Sequence, residues 1–105
     1  MYIYMGYTIT AYSRRQAKKL GVIIKQSTRK GKKLDVFKKV KNSKGEIVLK
    51  RVATIGALGM GDYPTFMKTK GKEFADKRRK AYKSRHQKNR VVVGSNGYYA
   101  DKILW

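Results

Sequence analysis

Apolar and polar residues alternate through the middle of the chain. In LDVFKKV, Leu34, Val36 and Val40 lie on one face of an extended strand. The next four residues, NSKG at 42–45, have the chemistry of a turn, and the strand-like run EIVLKRVATIG follows them. Two extended runs joined by a short Asn/Gly turn are typical of a β-hairpin. The pattern therefore predicts a hairpin over residues 34–55.

Two helices are predicted in the C-terminal part of the chain. A long helix from about residue 72 to residue 88 is indicated by a mixed face that recurs at three- and four-residue intervals. That face consists of Phe74, Arg78, Ala81, Tyr82 and Arg85. After GSNG, the run YYADKILW places Tyr99, Ile103 and Leu104 on one side of a short amphipathic helix. Between the helices, the run VVV at 91–93 has the composition of a last short strand.

The N-terminal part contains shorter elements. Residues 2–12 are rich in Tyr, Ile and Thr, which favours an extended segment. Ser13 is a suitable helix N-cap and Gly21 a suitable helix stop, so a short helix is expected between them. The apolar run VII at 22–24 then indicates a buried strand, and the basic run STRKGKK is predicted to be a loop.

A glycine-rich stretch, GALGMGDYP at 56–64, interrupts the regular pattern. A dinucleotide-binding loop needs its second glycine two residues after the first, and a helix directly after the loop. Here the first spacing is three and Asp-Tyr-Pro follows, so a tight bend between closely packed backbone segments is the better interpretation. The residue before Pro64 is biased away from helix, and KTKGK at 68–72 is expected to be a flexible lead-in. Asp62 is expected to bond to turn amides or to pair with a nearby Arg.

These elements together predict an α+β fold. It would contain a small antiparallel sheet led by the hairpin, with one long basic helix and a short C-terminal helix packed on it. A chain of 105 residues with 41% hydrophobic residues suits a single domain over residues 1–105. Residues 1–26 either belong to that domain or form an extended arm that neighbours order.

The net charge of the chain bears on its function and not on its fold. The chain has 27 Lys and Arg against six Asp and Glu, a formal net charge of +21, whereas a magnitude of about 2–8 is usual for a small domain. An excess of this size is self-repulsive in a compact chain and attracts polyanions. The candidates for the counter-charge are nucleic acid, an anionic lipid surface and the acidic faces of other proteins.

Composition excludes or disfavours several classes of protein. Because the chain has no cysteine, it can form no disulfide, thiolate nucleophile or Cys-based metal site. No segment approaches the roughly 20 apolar residues of a membrane span, so a transmembrane protein is not expected. The first residues lack the basic region of a secretory signal.

Candidate catalytic residues are few. His86 lies in a basic run and has no acid four residues away, so it is interpreted as a helix-surface or packing residue. Glu73 and Asp76 are close in sequence, and they suit the first turns of a helix, where the dipole favours negative charge. The other acids are scattered and do not converge on a metal site. We therefore predict neither an enzyme nor a bound cofactor.

The stretch DKRRKAYKSRH at 76–86 is the strongest functional feature, with six Lys or Arg and one acid. Like charges at i and i+4 destabilise a helix by a few tenths of a kcal/mol, and a bound polyanion reverses that effect and releases counterions. A face that meets only solvent usually mixes both signs of charge, and this one does not. The predicted polyanion- or partner-binding residues are Lys77, Arg79, Lys80, Lys83, Lys88 and Arg90.

Sequence-specific reading of bases is not indicated. The chain has no helix-turn-helix spacing, zinc finger, RNP aromatic motif or KH loop. Four N-terminal tyrosines can either stack on bases or pack in the core; they are Tyr2, Tyr4, Tyr7 and Tyr12. Any nucleic acid is expected to be bound through its backbone, without a sequence preference.

Three blocks stand out in the last half of the chain, namely IGALGMGDYP, ADKRRKAYKSRH and GYYADKILW. They resemble a G-x-x-G-x-x-D-[YF]-[TP] turn, an RR-x-x-Y-x-x-RH helix and a closing aromatic-(A/S)-x-x-(I/L)LW. These motifs belong to a family of small basic proteins from large double-stranded DNA viruses, notably those that infect algae. Residues 34–55 fit the preceding hairpin of that family loosely, residues 1–26 have no match, and Pro64 stands where Thr is common.

The resemblance implies a virion-associated structural protein without catalysis, made in the cytoplasm of the host cell. The residues at the family's recurrent positions are expected to maintain the fold; they are Asp62, Tyr63, Arg78, Tyr82, Arg85, His86, Leu104 and Trp105. In that arrangement Leu104 and Trp105 pack under the long helix and Tyr82 bridges to them. Asp62 holds an Arg of the same helix, and the remaining Lys and Arg meet the partner.

The leading hypothesis is a minor capsid component that acts as electrostatic cement. It would bridge acidic surfaces of other capsid proteins, inner-membrane phosphates or genome. The alternative is a non-specific DNA-binding or condensing protein packaged with the viral genome. A ribosomal-type RNA binder would share the charge but not the three C-terminal blocks.

Overall fold

The computed structural model describes residues 7–105. The elements in chain order are α1 (Ala11–Leu20), β1 (Ile23–Gln26), β2 (Lys32–Lys41), β3 (Ile47–Ala57), α2 (Tyr63–Lys70), α3 (Lys72–Arg85) and α4 (Asn96–Leu104). The strands form one antiparallel sheet in the order β1-β2-β3, with the helices around it. The predicted α+β class is therefore confirmed.

The β2–β3 hairpin forms as predicted and extends beyond the predicted bounds on both sides. Its turn is closed by Asn42, whose Oδ1 accepts hydrogen bonds from the backbone N–H groups of Lys44 and Glu46. The inner half buries an apolar face, with Leu34 opposite Ile55 and Val36 opposite Ala53 in the register. A register shift between Val36 and Phe37 marks a β-bulge at the end of this covered half.

The outer half of the hairpin, residues 38–50, projects from the body and is called the hairpin arm below. Residues 41–50 are all exposed, including the aliphatic side chains of Ile47 and Leu49. β1 pairs only with residues 34–37 of β2, so it does not reach the arm. The apolar residues that alternate along the arm are therefore not part of the buried core.

Helix α1 begins earlier than predicted. Thr10 is its N-cap, and its side chain accepts a hydrogen bond from the backbone N–H of Ser13. Ser13, predicted as the cap, is instead buried in the first turn and donates from Oγ to the carbonyl of Ile103 at 2.8 Å. Both residues can cap a helix, so composition did not separate them. Gly21 ends the helix as predicted, with a φ of 71°. Of the extended segment predicted over 2–12, residues 2–6 lie outside the described part.

Helix α2 was not predicted, because Asp-Tyr-Pro was interpreted as a barrier to helix. The structure shows the opposite arrangement. Asp62 is the N-cap and accepts a hydrogen bond at 3.0 Å from the backbone N–H of Thr65. Pro64 lies in the first turn, where a helix needs no N–H donor. The expected flexible lead-in is thus mostly helical, and Gly71 separates α2 from α3.

The strand predicted at 91–93 is wrong. These valines lie in a run of turns between α3 and α4, and they are 54–79% exposed. Short-range backbone hydrogen bonds, such as Val92 N–H to Asn89 O at 3.2 Å, fold the segment on itself. β-Branched residues favour a strand only where a partner strand is available. Helix α3 accordingly ends at Arg85, three residues before its predicted end.

Helix α4 closes the core against the sheet and α1. Ile103 and Leu104 are at most 1% exposed, and Trp105 is 8% exposed. Gly56, at the end of β3, has a φ of 77°, and a Cβ there would lie 2.8 Å from Cδ1 of Leu104. The bend predicted for the glycine-rich stretch is therefore a close approach of backbone to the C-terminal helix. Within residues 7–105, none of the helices has the length and apolar character to cross a bilayer.

Candidate polyanion-binding surface

Most of the positive charge has no negative partner within the fold. Seven of the 27 basic side chains form ion pairs with carboxylates of Asp or Glu; they are Lys33, Arg51, Lys72, Lys77, Lys83, Arg90 and Lys102. All Asp, Glu, Lys and Arg residues of the chain lie in the described part. The other 20 basic side chains therefore have no such pair in the structure. The charge of those that are exposed is available to partners.

These 20 cations lie on several separate elements. Helix α1 contributes Arg14, Arg15, Lys18 and Lys19, and the hairpin arm contributes Lys38, Lys39, Lys41, Lys44 and Lys50. The loop before β2 and its surroundings add Lys25, Arg29, Lys30 and Lys32. The region of α2 and α3 adds Lys68, Lys70, Arg78, Arg79, Lys80, Arg85 and Lys88. The basic stretch at 76–86 is thus one part of a wider cationic surface.

The predicted partner-binding residues divide into two groups. Lys80 and Lys88 are exposed and form no ion pair with a described residue. Lys77 is also exposed, and its Nζ lies 3.8 Å from Glu73, a surface pair that contributes little to stability. These three residues project from the body, as a partner-binding role requires.

Arg79, Lys83 and Arg90 are instead turned toward the protein. Nε of Arg79 donates to the carbonyl of Trp105 at 2.9 Å, and its guanidinium lies 3.4 Å from the centroid of the Tyr63 ring. Lys83 Nζ donates to Asp101 at 2.8 Å, and Arg90 lies 4.0 Å from the other oxygen of that carboxylate. These contacts join α3 and the following turns to α4.

Asp62 lies at the centre of a buried polar cluster. Its carboxylate accepts hydrogen bonds from Lys33 Nζ at 2.8 Å and from the Tyr7 hydroxyl at 2.7 Å, besides the α2 cap. Burial raises the pKa of Asp62, but the bonds from Lys33, Thr65 and Tyr7 outweigh it and leave the pKa below its usual value. Burial, and then the bond to Asp62, raises the pKa of Tyr7. The expected pairing of Asp62 with an Arg of the long helix is wrong.

The correct partner, Lys33, gave no signal in the sequence. It lies in the basic run STRKGKK, where each cation has the same local context. Its exposure of 4% arises only in the tertiary structure, where the Lys33 ammonium lies against Asp62 at the N-terminus of α2. Asp62 was expected to bond to turn amides, and it does bond to a nearby backbone N–H, but that N–H belongs to Thr65 in the first turn of helix α2.

The aromatic residues of the three blocks pack together. The ring of Tyr82 stacks on Trp105 with centroids 4.5 Å apart and planes 10° apart, and the centroid of the His86 ring lies 4.2 Å from that of Tyr82. Tyr82 thus bridges α3 to the buried C-terminal residues, as expected. Burial, and then the charge of Asp101, raises the pKa of Tyr82. His86 is a packing residue in this arrangement.

The N-terminal tyrosines in the described part also have packing roles. Tyr7 is held by Asp62, and Tyr12 packs on the buried Tyr63 with ring centroids 5.6 Å apart. The Tyr63 hydroxyl donates to Asp76 at 2.9 Å. Tyr2 and Tyr4 lie outside the described residues.

Arg78 and Arg85 do not hold the fold together through ion pairs. Both side chains are exposed, and among the ion pairs of residues 7–105 neither is paired with an Asp or Glu carboxylate. They line a cleft of about 260 Å³ beside Trp105, and the guanidinium of Arg78 lies 5.4 Å from the Phe66 ring centroid. These two residues were expected to maintain the fold, and in the structure they do not do so through ion pairs.

A second buried carboxylate, Asp35, was not singled out from the sequence. It is 2% exposed on the polar face of β2 and accepts hydrogen bonds at 2.8 Å from the hydroxyls of Ser27 and Thr54. Burial raises its pKa, but these bonds, the Thr28 N–H and the charge of Arg51 leave it below its usual value. A strand alternation of Leu34, Asp35 and Val36 places Asp35 opposite the apolar face, which was the available clue.

Among residues 7–105, no three side chains of His, Asp or Glu come together as metal ligands would. No family model, curated protein sequence or solved structure matches the chain.

Proposed function

We propose that the protein is a non-enzymatic structural component of a large DNA virus particle, a minor capsid protein that bridges acidic neighbours. The observation that carries the bridging role is the set of 20 basic side chains without a carboxylate partner in the described fold. The viral setting rests on the resemblance of the three C-terminal blocks.

External neutralisation is the physical basis of the proposal. At a net charge of +21, the cations repel one another in the compact state. The six acids cannot relieve this repulsion, because five of them already form ion pairs within the protein. An anionic neighbour lowers the electrostatic free energy of the protein and releases counterions.

The distribution of charge favours bridging over binding in one groove. Available cations lie on α1, on the hairpin arm and along α3, which are different parts of the fold. The Cα positions extend 50 × 43 × 21 Å. Charges on opposite sides of even the thinnest direction are separated by more than two Debye lengths of about 8 Å at physiological salt. Two acidic partners could therefore be held without strong mutual repulsion.

Disruption of particles that contain the protein would test this role. Shells and nucleic acid would be separated by gentle lysis and density sedimentation at low salt, and the protein would be followed by mass spectrometry. We expect it to remain with empty shells in a fixed ratio to the major shell protein. Recovery with the released nucleic acid alone would contradict the proposal.

A second candidate, non-specific binding to packaged DNA, is favoured by one observation. The hairpin arm is a two-stranded ribbon with five lysines and one acid, and the major groove admits such a ribbon. This function predicts binding to any duplex, with a logarithmic salt slope of about −0.9 for each phosphate contacted. Binding to duplexes of unrelated sequence with this steep salt slope, together with recovery on the genome, would favour this candidate.

A further inference from the structure

We propose that the cleft beside the Tyr82–Trp105 stack binds an apolar side chain flanked by carboxylates, presented by a partner protein. The inference rests on the proposed function, because it specifies the chemistry by which an acidic neighbour is recognised. It assigns a binding role to Arg78 and Arg85, two residues for which the fold provides no ion pair.

The floor of the cleft is apolar. It is formed by the buried side chains of Leu104 and Trp105, and the exposed Ala57 and Met60 of the glycine-rich stretch also line the cleft. Its volume of about 260 Å³ lies below the roughly 300–1,000 Å³ of sites for drug-sized ligands. A cleft of this size suits one aliphatic or aromatic side chain.

The rim of the cleft is positive. Arg78 and Arg85 lie seven residues apart on α3, so they are on the same side of the helix and about 10 Å apart along its axis. Lys33 also lines the cleft, but its ammonium is held by Asp62. None of the described residues that line the cleft is an acid, so the two Arg side chains line it without a counter-charge.

Carboxylates of a protein are the anions that fit this geometry. A guanidinium binds a carboxylate through two parallel hydrogen bonds, and an apolar floor between two such sites calls for an apolar group between two acids. Nucleic acid would bring phosphates to the two guanidinium groups, but a base would need an exposed aromatic face on which to stack in the apolar part of the cleft. Here the Tyr82 ring already stacks on Trp105 and lies against His86. The observations therefore favour a protein segment.

A short peptide of simple design would serve as the probe. In acetyl-Glu-Ser-Leu-Ser-Glu-amide, the first, third and fifth side chains share one face of an extended chain, with the two acids about 13 Å apart. Flexible Arg side chains span the difference between this distance and their own separation. Binding would be followed by the fluorescence of Trp105, the only Trp in the chain, and by calorimetry.

Two peptide controls separate charge from apolar contact. Replacement of both Glu by Gln, or of Leu by Ser, is expected to weaken binding at least fivefold in each case. On the protein, the double variant Arg78→Gln/Arg85→Gln is expected to weaken binding of the original peptide at least tenfold. The matched variant Arg14→Gln/Arg15→Gln on exposed α1 removes the same charge and should change affinity less than twofold. Circular dichroism would confirm that both variants are folded.

Three outcomes would overturn the inference. Equal losses in the two double variants would show diffuse attraction without a site. Stronger perturbation of Trp105 by an oligonucleotide than by the peptide would assign the cleft to nucleic acid. Absence of peptide binding by the folded protein would remove the inference alone, since retention on empty shells tests the proposed function separately.

Discussion

Nζ of Lys33 lies 2.8 Å from Oδ2 of Asp62, and both side chains are at most 4% exposed. The pair joins the central strand β2 to the N-terminus of α2. The same carboxylate also caps α2 and accepts the Tyr7 hydroxyl. One aspartate therefore fixes three segments that are distant in sequence. Three of the six acids, including Asp62, are buried in this way. The charged side chains that remain on the surface are therefore mostly positive.

Replacing Asp62 by Ala should strongly destabilise the protein. The variant leaves the Lys33 ammonium buried without a partner, which typically costs about 3–5 kcal/mol, and removes a helix cap. Urea unfolding followed by circular dichroism would measure the loss. Glu73→Ala, which removes a mostly exposed surface pair, is the control and should change the free energy of unfolding little. Equal stability of the two variants would contradict the central role of Asp62.

Stability should fall in acid as the buried aspartates are protonated. The pKa values of Asp62 and Asp35 are held below the usual value of 3.8 in the folded state. Their contribution is thus complete above the unfolded pKa of about 3.9 and is lost as pH falls below it. Urea unfolding between pH 7 and pH 2.5, at constant ionic strength, would show a plateau and then a decline.

The double variant Asp62→Asn/Asp35→Asn isolates this effect from general repulsion between the cations. It should be less stable at pH 7 and should show a shallower decline in acid than the natural chain. Parallel curves for the two proteins would show that other groups control the acid transition.

Replacing Trp105 by Ala should destabilise the fold by about 3–5 kcal/mol, the usual range for a large buried aromatic residue. The change removes the stack on Tyr82 and the contact with Phe66, whose ring centroid lies 6.1 Å away. Thermal unfolding would measure it. Trp105→Phe keeps an aromatic ring on Tyr82 and should recover much of the loss. A melting temperature unchanged in the Ala variant would show that the stack contributes little.

Replacing Asp101 by Asn should strengthen binding to polyanions while weakening the fold. Asp101 holds Lys83 at 2.8 Å and lies 4.0 Å from both Arg90 and Lys102, so its neutralisation releases cations to the surface. The salt concentration that elutes the protein from a heparin column should rise. Glu46→Gln makes the same change in net charge at a residue without an ion pair and should raise it less. Equal shifts would contradict a specific release.

The sequence predicted correctly those elements that nearby residues specify, through turn residues or through a shared apolar face. The hairpin was predictable because Asn42 and Gly45 specify the turn, and α4 because Tyr99, Ile103 and Leu104 share one face. Helix α2 was missed because Asp62 can cap a helix or close a turn, and only the tertiary contact with Lys33 decides between them. Tertiary context also made a turn of the valines at 91–93, which have no strand beside them.

The candidate site was predicted less well than the fold. Net charge indicated a basic surface, but it did not show that Arg79 and Lys83 bind within the protein. Those contacts depend on the position of α4, which sequence spacing along α3 cannot supply. The aromatic contact of Tyr82 with Trp105 was foreseen from the resemblance, whereas the cleft beside it required the three-dimensional arrangement.

The hairpin arm divides the sheet into two parts of unequal rigidity. Amide protons near Leu34 and Ile55, which are 0–2% exposed, should exchange with solvent only when the whole domain unfolds. Those beyond the bulge, where residues 41–50 are exposed on both strands, should exchange through local fraying at much lower free energy. The molecule thus combines a stiff body with a compliant ribbon, and the ribbon can tilt to follow an uneven neighbour while the body stays folded.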